Sequence, residues 1–92
     1  MAAIRIHQPH ALTIDRARAA AQAMAERMAS EFGANYEWEG DMLRFRQTGA
    51  QGTLALLDGE ARLELELGGM MSAFASMIEE KLGRKMREIF TA

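Results

Sequence analysis

The residues best suited to chemistry are two histidines, His7 and His10, spaced H-x-x-H across Pro9. Paired imidazoles at short spacing can begin a zinc site, but a structural site needs four protein ligands and a catalytic one still needs three. The chain has no third histidine and no cysteine, and the fixed backbone of Pro9 breaks any regular geometry between the two rings. Both are read as residues at the end of a strand, with no metal expected. Carboxylates are the second option. Glu37, Glu39, Glu64 and Glu66 accompany Arg44, Arg46 and Arg62 in segments of alternating polarity. General acid–base work needs a desolvated carboxyl group, and an open sheet face does not desolvate. Cross-strand charge pairing on a wet surface is the better reading. The glycines fall at turns and helix ends, not in a loop that could cradle phosphate. No Ser-His-Asp set has a spacing that suggests a triad. No catalytic, cofactor or metal residue is assigned, and the chain is not expected to be an enzyme.

Composition narrows the rest. The chain has 92 residues, 49% hydrophobic and 26% charged, which is ordinary for a globular protein. A single domain over residues 1–92 is expected, with a core that buries about 60–65% of the surface exposed by the unfolded chain. Eleven basic residues against thirteen acidic ones give a formal charge of −2, which argues against a nucleic-acid partner. With no cysteine there is no disulfide framework. The opening MAAIRIHQPH has no signal-peptide pattern, and no apolar run approaches the ~20 residues that span a bilayer. A soluble, cytoplasmic protein is expected.

The elements follow from hydrophobic period. Residues 3–7, AIRIH, alternate as a half-buried strand that should end near Pro9. Thr13 is suited to cap a helix, with Asp15 in its first turn. Ile14, Ala17, Ala21, Met24, Ala25, Met28 and Phe32 then recur at helical steps, and Gly33 stands where a C-cap belongs. From NYEWE onward the period becomes two. Tyr36 and Trp38 face one way, as do Leu43 and Phe45, while QTGAQG reads as a loop or bulged connection. TLALL and ARLELEL flank Asp58-Gly59, a strong hairpin signal. A second helix should occupy residues 70–90. The expected fold is a two-layer α+β sandwich in the order β-α-β-β-β-β-α. Its five-stranded, mostly antiparallel sheet has both helices on one face. Strand directions make the first strand antiparallel to the last, and the two are placed side by side.

The order IRIHQPHALTIDRAR, YEWEGDMLRF and GTLALLDGEARLELELG before a terminal amphipathic helix resembles the polyhydroxyalkanoic acid system family over nearly the whole chain. The most recognisable pieces are His10 with Leu12, the Ala17-Arg18 pair, Trp38 with Gly40-Asp41, Gly52-Thr53 and Leu67-Gly68. The resemblance implies a bacterial protein associated with polyhydroxyalkanoate storage. It supplies no catalytic residues to carry over. It implies a small accessory protein acting by contact with a polyhydroxyalkanoate granule or a granule-associated protein. The alternative is a small helix-grip domain that binds an apolar ligand such as a fatty acyl chain.

The stretch GGMMSAFASMIEEKLGRKM, residues 68–86, holds four of the eight methionines. On a helical wheel Met71, Phe74, Ala75, Ile78, Leu82, Met86 and Ile89 form a stripe sufficient to cover the sheet. Met70, Ala73 and Met77 lie a quarter turn or more away, on a second stripe that becomes charged at Lys81, Arg84 and Glu88. Methionine is flexible and polarisable, suited both to core gaps and to adaptable contacts. Three destinations are open for Met70, Ala73 and Met77: packing against the first helix beside Met24 and Met28, a homodimer seam or partner site, or a granule surface.

Overall fold

The computed structural model of the chain describes residues 2–90, with the backbone alone at Ala2 and Phe32. Strand β1 (Ala2–Pro9) leads to helix α1 (Ile14–Phe32), then β2 (Asn35–Glu39), β3 (Met42–Gln47), β4 (Ala50–Leu57), β5 (Glu60–Leu67), a three-ten segment (Gly69–Phe74) and helix α2 (Ala75–Phe90). The fold is α+β, in the element order expected. The spatial order of the strands is β1-β5-β4-β3-β2, and all four neighbouring pairs are antiparallel. Pro9 is tolerated in β1 because that strand is an edge, where a missing N–H leaves no ladder bond unmade.

Alternation decides which face is covered. Leu43 pairs with Leu54 and Leu54 with Leu63, while Ile4 pairs with Leu65. These side chains stack across the sheet on one face, all nearly or wholly buried. Helix α1 lies over β2, β3 and β4, and α2 lies over β1. Residues of both helices join the sheet in one apolar cluster. Helix α1 begins where the Thr13 hydroxyl accepts from the Arg16 N–H at 3.3 Å. It ends at Gly33, whose φ of 69° forms a left-handed cap. Its buried residues Ala17, Ala21 and Ala25 are small, so its backbone can approach the sheet closely.

Three details differ from the sequence reading. The expected loop or bulged connection QTGAQG is mostly strand, because β3 runs to Gln47 and β4 begins at Ala50. Gly52 therefore sits inside the sheet, paired with Phe45 and Leu65. A Cβ there would come within 2.8 Å of the Phe45 ring and collide with the Glu64 carbonyl oxygen. An aromatic ring laid across a strand glycine covers the backbone that a side chain would otherwise shield. Ile14 is 45% exposed; it opens α1 one turn ahead of Ala17, where burial begins. The side chain of Phe32, placed on the same stripe, lies outside the described residues.

The remaining difference is in the second helix. It starts as three-ten, not α, over Gly69–Phe74. Phe74 is 48% exposed, while Met86 and Phe90 at the other end are fully buried. The stripe that covers the sheet is thus Ile78, Leu82, Met86, Ile89 and Phe90, with Met71 and Ala75 packed at its start.

Candidate functional site

The Gly68-Gly69 pair ends β5, and the chain turns tightly into α2. Within that turn Ser72 Oγ donates to the Gly69 carbonyl oxygen at 2.9 Å, which holds the three-ten geometry. Met71 reaches inward, its Cγ 3.1 Å from the position of a Cβ on Gly49. The residues around it point the other way. Met70 is 85% exposed and Met77 47%, and with Phe74 they are among the exposed large hydrophobics. Ala73 is exposed as well. None of the four is among the buried or partly buried hydrophobics of the core. Phe74 was assigned to the core face from periodicity and joins the outward group instead. The Gly68-Gly69 pair with Ser72 was the signal for a non-α start. Beyond Met77 the outward side carries Glu80 and Arg84, paired at 3.4 Å, and Lys81.

The opposite face of the sheet is charged. Arg44 pairs with Glu39 at 3.0 Å, and Gln51 donates to Glu66 at 3.3 Å. Around Gly52 this face forms an open trough of about 550 Å³ between Arg44 and Arg46 on β3 and Glu64 and Glu66 on β5. These four charged side chains are all exposed, so nothing desolvates the carboxylates. His7 lies on the same face, with Nδ1 3.4 Å from Glu60 Oε1. His10 does not join it. Its Nδ1 accepts from the Leu12 N–H at 3.1 Å, and its ring stacks on Phe90 with centroids 5.5 Å apart. The Nδ1 acceptor role places the proton of the neutral ring on Nε2, which is buried without a partner. The two histidines are thus turned to different tasks. Among the described residues no group of three His, Asp or Glu could hold a metal ion.

A third cluster ties α1 to the β2–β3 hairpin. The Trp38 indole N–H donates to Gln22 Oε1 at 2.8 Å, and Gln22 Nε2 donates to Tyr36 Oη at 3.0 Å. The Arg18 guanidinium lies 4.3 Å from the centre of the Trp38 ring. It also donates to the Gly40 carbonyl at 2.6 Å and meets Asp41 at 3.1 Å. Arg18, about twenty residues away in sequence, is therefore joined to Trp38, Gly40 and Asp41 in one tertiary contact. His10, which accepts from the Leu12 N–H, forms another against Phe90 at the end of α2.

Those residues are also among the ones by which the sequence resembles a known family. The sequence profile of the family described as polyhydroxyalkanoic acid system protein matches residues 4–90. The chain belongs to this family. No curated protein and no solved structure matched the chain. Among the recognisable residues, His10, Arg18, Trp38, Gly40 and Asp41 hold elements together. The exposed group at Met70, Ala73, Phe74 and Met77 lies apart from them. No helix among the described residues is long and apolar enough to cross a membrane.

Proposed function

We propose that the protein is a non-catalytic accessory component of polyhydroxyalkanoate storage, working in the bacterial cytoplasm by contact with the granule surface or a protein seated on it. The observation that carries this reading is the outward cluster of Met70, Phe74 and Met77 at the start of the second helix. Large apolar side chains grouped on a surface mark an interaction site more often than scattered ones do. Burying one such side chain contributes about 1.5–3 kcal/mol, so three of them support a weak, reversible contact. A polyester surface is apolar and irregular, and flexible thioether side chains suit it.

The non-catalytic part rests on what surrounds the ionisable groups. Among the described residues, none of those buried is polar or charged, and acid–base catalysts are usually desolvated. The apolar-ligand alternative has less support. Leu43, Leu54, Leu63, Met86 and Phe90 fill the layer between sheet and helices, while the trough on the other face is lined by charge. Co-sedimentation with protein-free polyester particles and with native granules tests the reading. Recovery with both supports direct surface contact. Recovery with native granules alone points to a seated protein. Recovery with neither removes the proposal.

A further inference from the structure

The face of the sheet turned away from both helices arranges its charges with a definite symmetry. The register sets Glu37, Arg44, Thr53, Glu64 and Arg5 in one row across β2, β3, β4, β5 and β1. The next row is Asn35, Arg46, Gln51, Glu66 and Ala3. In each row the charges on one side of β4 are the reverse of those on the other. Arg44 and Arg46 on β3 answer Glu64 and Glu66 on β5, and Glu37 on β2 answers Arg5 on β1. The outward residues of β4 itself, Gln51, Thr53, Ala55 and Leu57, carry no charge. We infer that this face is covered by a second copy of the chain, packed sheet to sheet about a two-fold axis that runs along β4.

Such an axis keeps height along the strands and reverses their order, so each row meets itself backwards. Arg44 of one copy faces Glu64 of the other, Arg46 faces Glu66, and Glu37 faces Arg5. In a third row Glu39 faces His7 and Met42 faces Arg62. No like charges are opposed in the three rows. A residue on the axis meets its own copy, so a charge there would repel itself. β4 has none, and its Leu57, 38% exposed in the single chain, meets the same leucine. An axis across the strands would instead set each strand against itself, with Arg44 and Arg46 against their own copies and Glu64 and Glu66 against theirs. Opposed like charges suppress that arrangement. The favoured interface is isologous, each copy using the same residues.

The charges needed are available. Among the described residues, the side chains of Arg5, Glu37, Arg46 and Glu64 make no ion pair or hydrogen bond within their own chain. Arg62, the one basic residue on the outward side of β5, already pairs with Glu60 at 3.3 Å. Five strands spaced at about 4.8 Å, each about 20 Å long, give a footprint of about 480 Å² per copy. The total of about 1,000 Å² stands at the lower limit for a specific interface. The dimer is therefore weak, and because its contacts are ionic it weakens further as salt rises. Met70, Phe74 and Met77 lie on α2, across the sheet, so pairing leaves them uncovered and does not rest on granule contact.

Sedimentation of the wild-type chain over a concentration series, at about 0.01 M and about 1 M salt, is the first measurement, since the screening length falls from about 30 Å to about 3 Å between them. A dimer at low salt that dissociates at high salt is expected. Monomer at every concentration at low salt, or a dimer indifferent to salt, would overturn the inference. Arg46→Glu and Glu66→Arg then test the pairing. Both positions are exposed, and the register puts no charged residue beside either, so each variant should fold, as circular dichroism checks. Alone, each opposes like charges twice across the axis and should weaken dimerisation about tenfold or more. Mixed in equal amounts, the two restore both opposite-charge pairs, and a heterodimer should return at low salt. Either variant pairing as well as wild type, or a mixture no more associated than its parts, would overturn the axis along β4.

Discussion

The guanidinium of Arg18 lies 4.3 Å from the centre of the Trp38 ring and also donates to the Gly40 carbonyl, 2.6 Å away. One side chain of α1 thus grips both the face of a strand residue and the turn that follows it. Gln22, one turn further along, completes the grip by accepting from the Trp38 indole and donating to Tyr36. Gln22→Leu strands both partners, and an unpaired polar group of this kind costs about 1–3 kcal/mol where water cannot replace the bond. These partners are half-buried, so a loss near 1 kcal/mol is expected in urea unfolding. An unchanged midpoint would show that solvent already satisfies them.

Two glycines should respond to alanine with opposite signs. At Gly52 a new Cβ meets the Phe45 ring and the Glu64 carbonyl, and overpacking of this kind costs about 1–3 kcal/mol. Gly83 lies inside α2 with nothing within 4 Å of a new Cβ. Replacing a helical glycine by alanine there gains about 0.8–1.0 kcal/mol. Thermal melts of Gly52→Ala and Gly83→Ala should move in opposite directions. Equal shifts would mean that Phe45 does not lie across β4.

The histidines separate in the same way. His10 stacks on the fully buried Phe90 and accepts the Leu12 N–H. An aromatic pair adds about 0.5–1.5 kcal/mol and a hydrogen bond about as much, so His10→Ala should cost about 1–3 kcal/mol. His7 is 56% exposed beside Glu60, and His7→Gln should stay within about 0.5 kcal/mol. The sequence reading gave both residues the same strand-end role. Denaturant titration of the two variants checks the distinction, and equal effects would restore the earlier view.

Much of this fold was legible because burial writes a period into a strand. Ala61, Leu63, Leu65 and Leu67 alternate with charged residues, and all four are buried on one face. Counting strand directions made β1 antiparallel to β5 but left its place in the sheet a guess; the register sets it beside β5. What sequence could not supply was the identity of distant partners. Arg18 and Trp38 meet because α1 crosses the hairpin at one height, and no local pattern encodes that height. Phe74 was misplaced for a different reason. It ends the three-ten segment Gly69–Phe74, where the sequence wheel assumed α-helix from residue 70, and its 48% exposure has no local sequence signal. The angular offset of Met70, Ala73 and Met77 was readable, but Phe74 beside them was not.

In the proposed function the outward residues of the second helix form a contact surface and are not needed for the core. Met70→Glu with Met77→Glu tests it most directly. Carboxylates brought into an apolar contact without partners are costly, whereas at positions 85% and 47% exposed they remain in water in the free chain. Thermal unfolding and granule recovery of the double variant are measured together, beside the wild-type chain. The account predicts a folded protein with a nearly unchanged melting temperature and a clear loss of recovery with granules. A variant that melts as wild type does and is recovered with granules as well as wild type would contradict it.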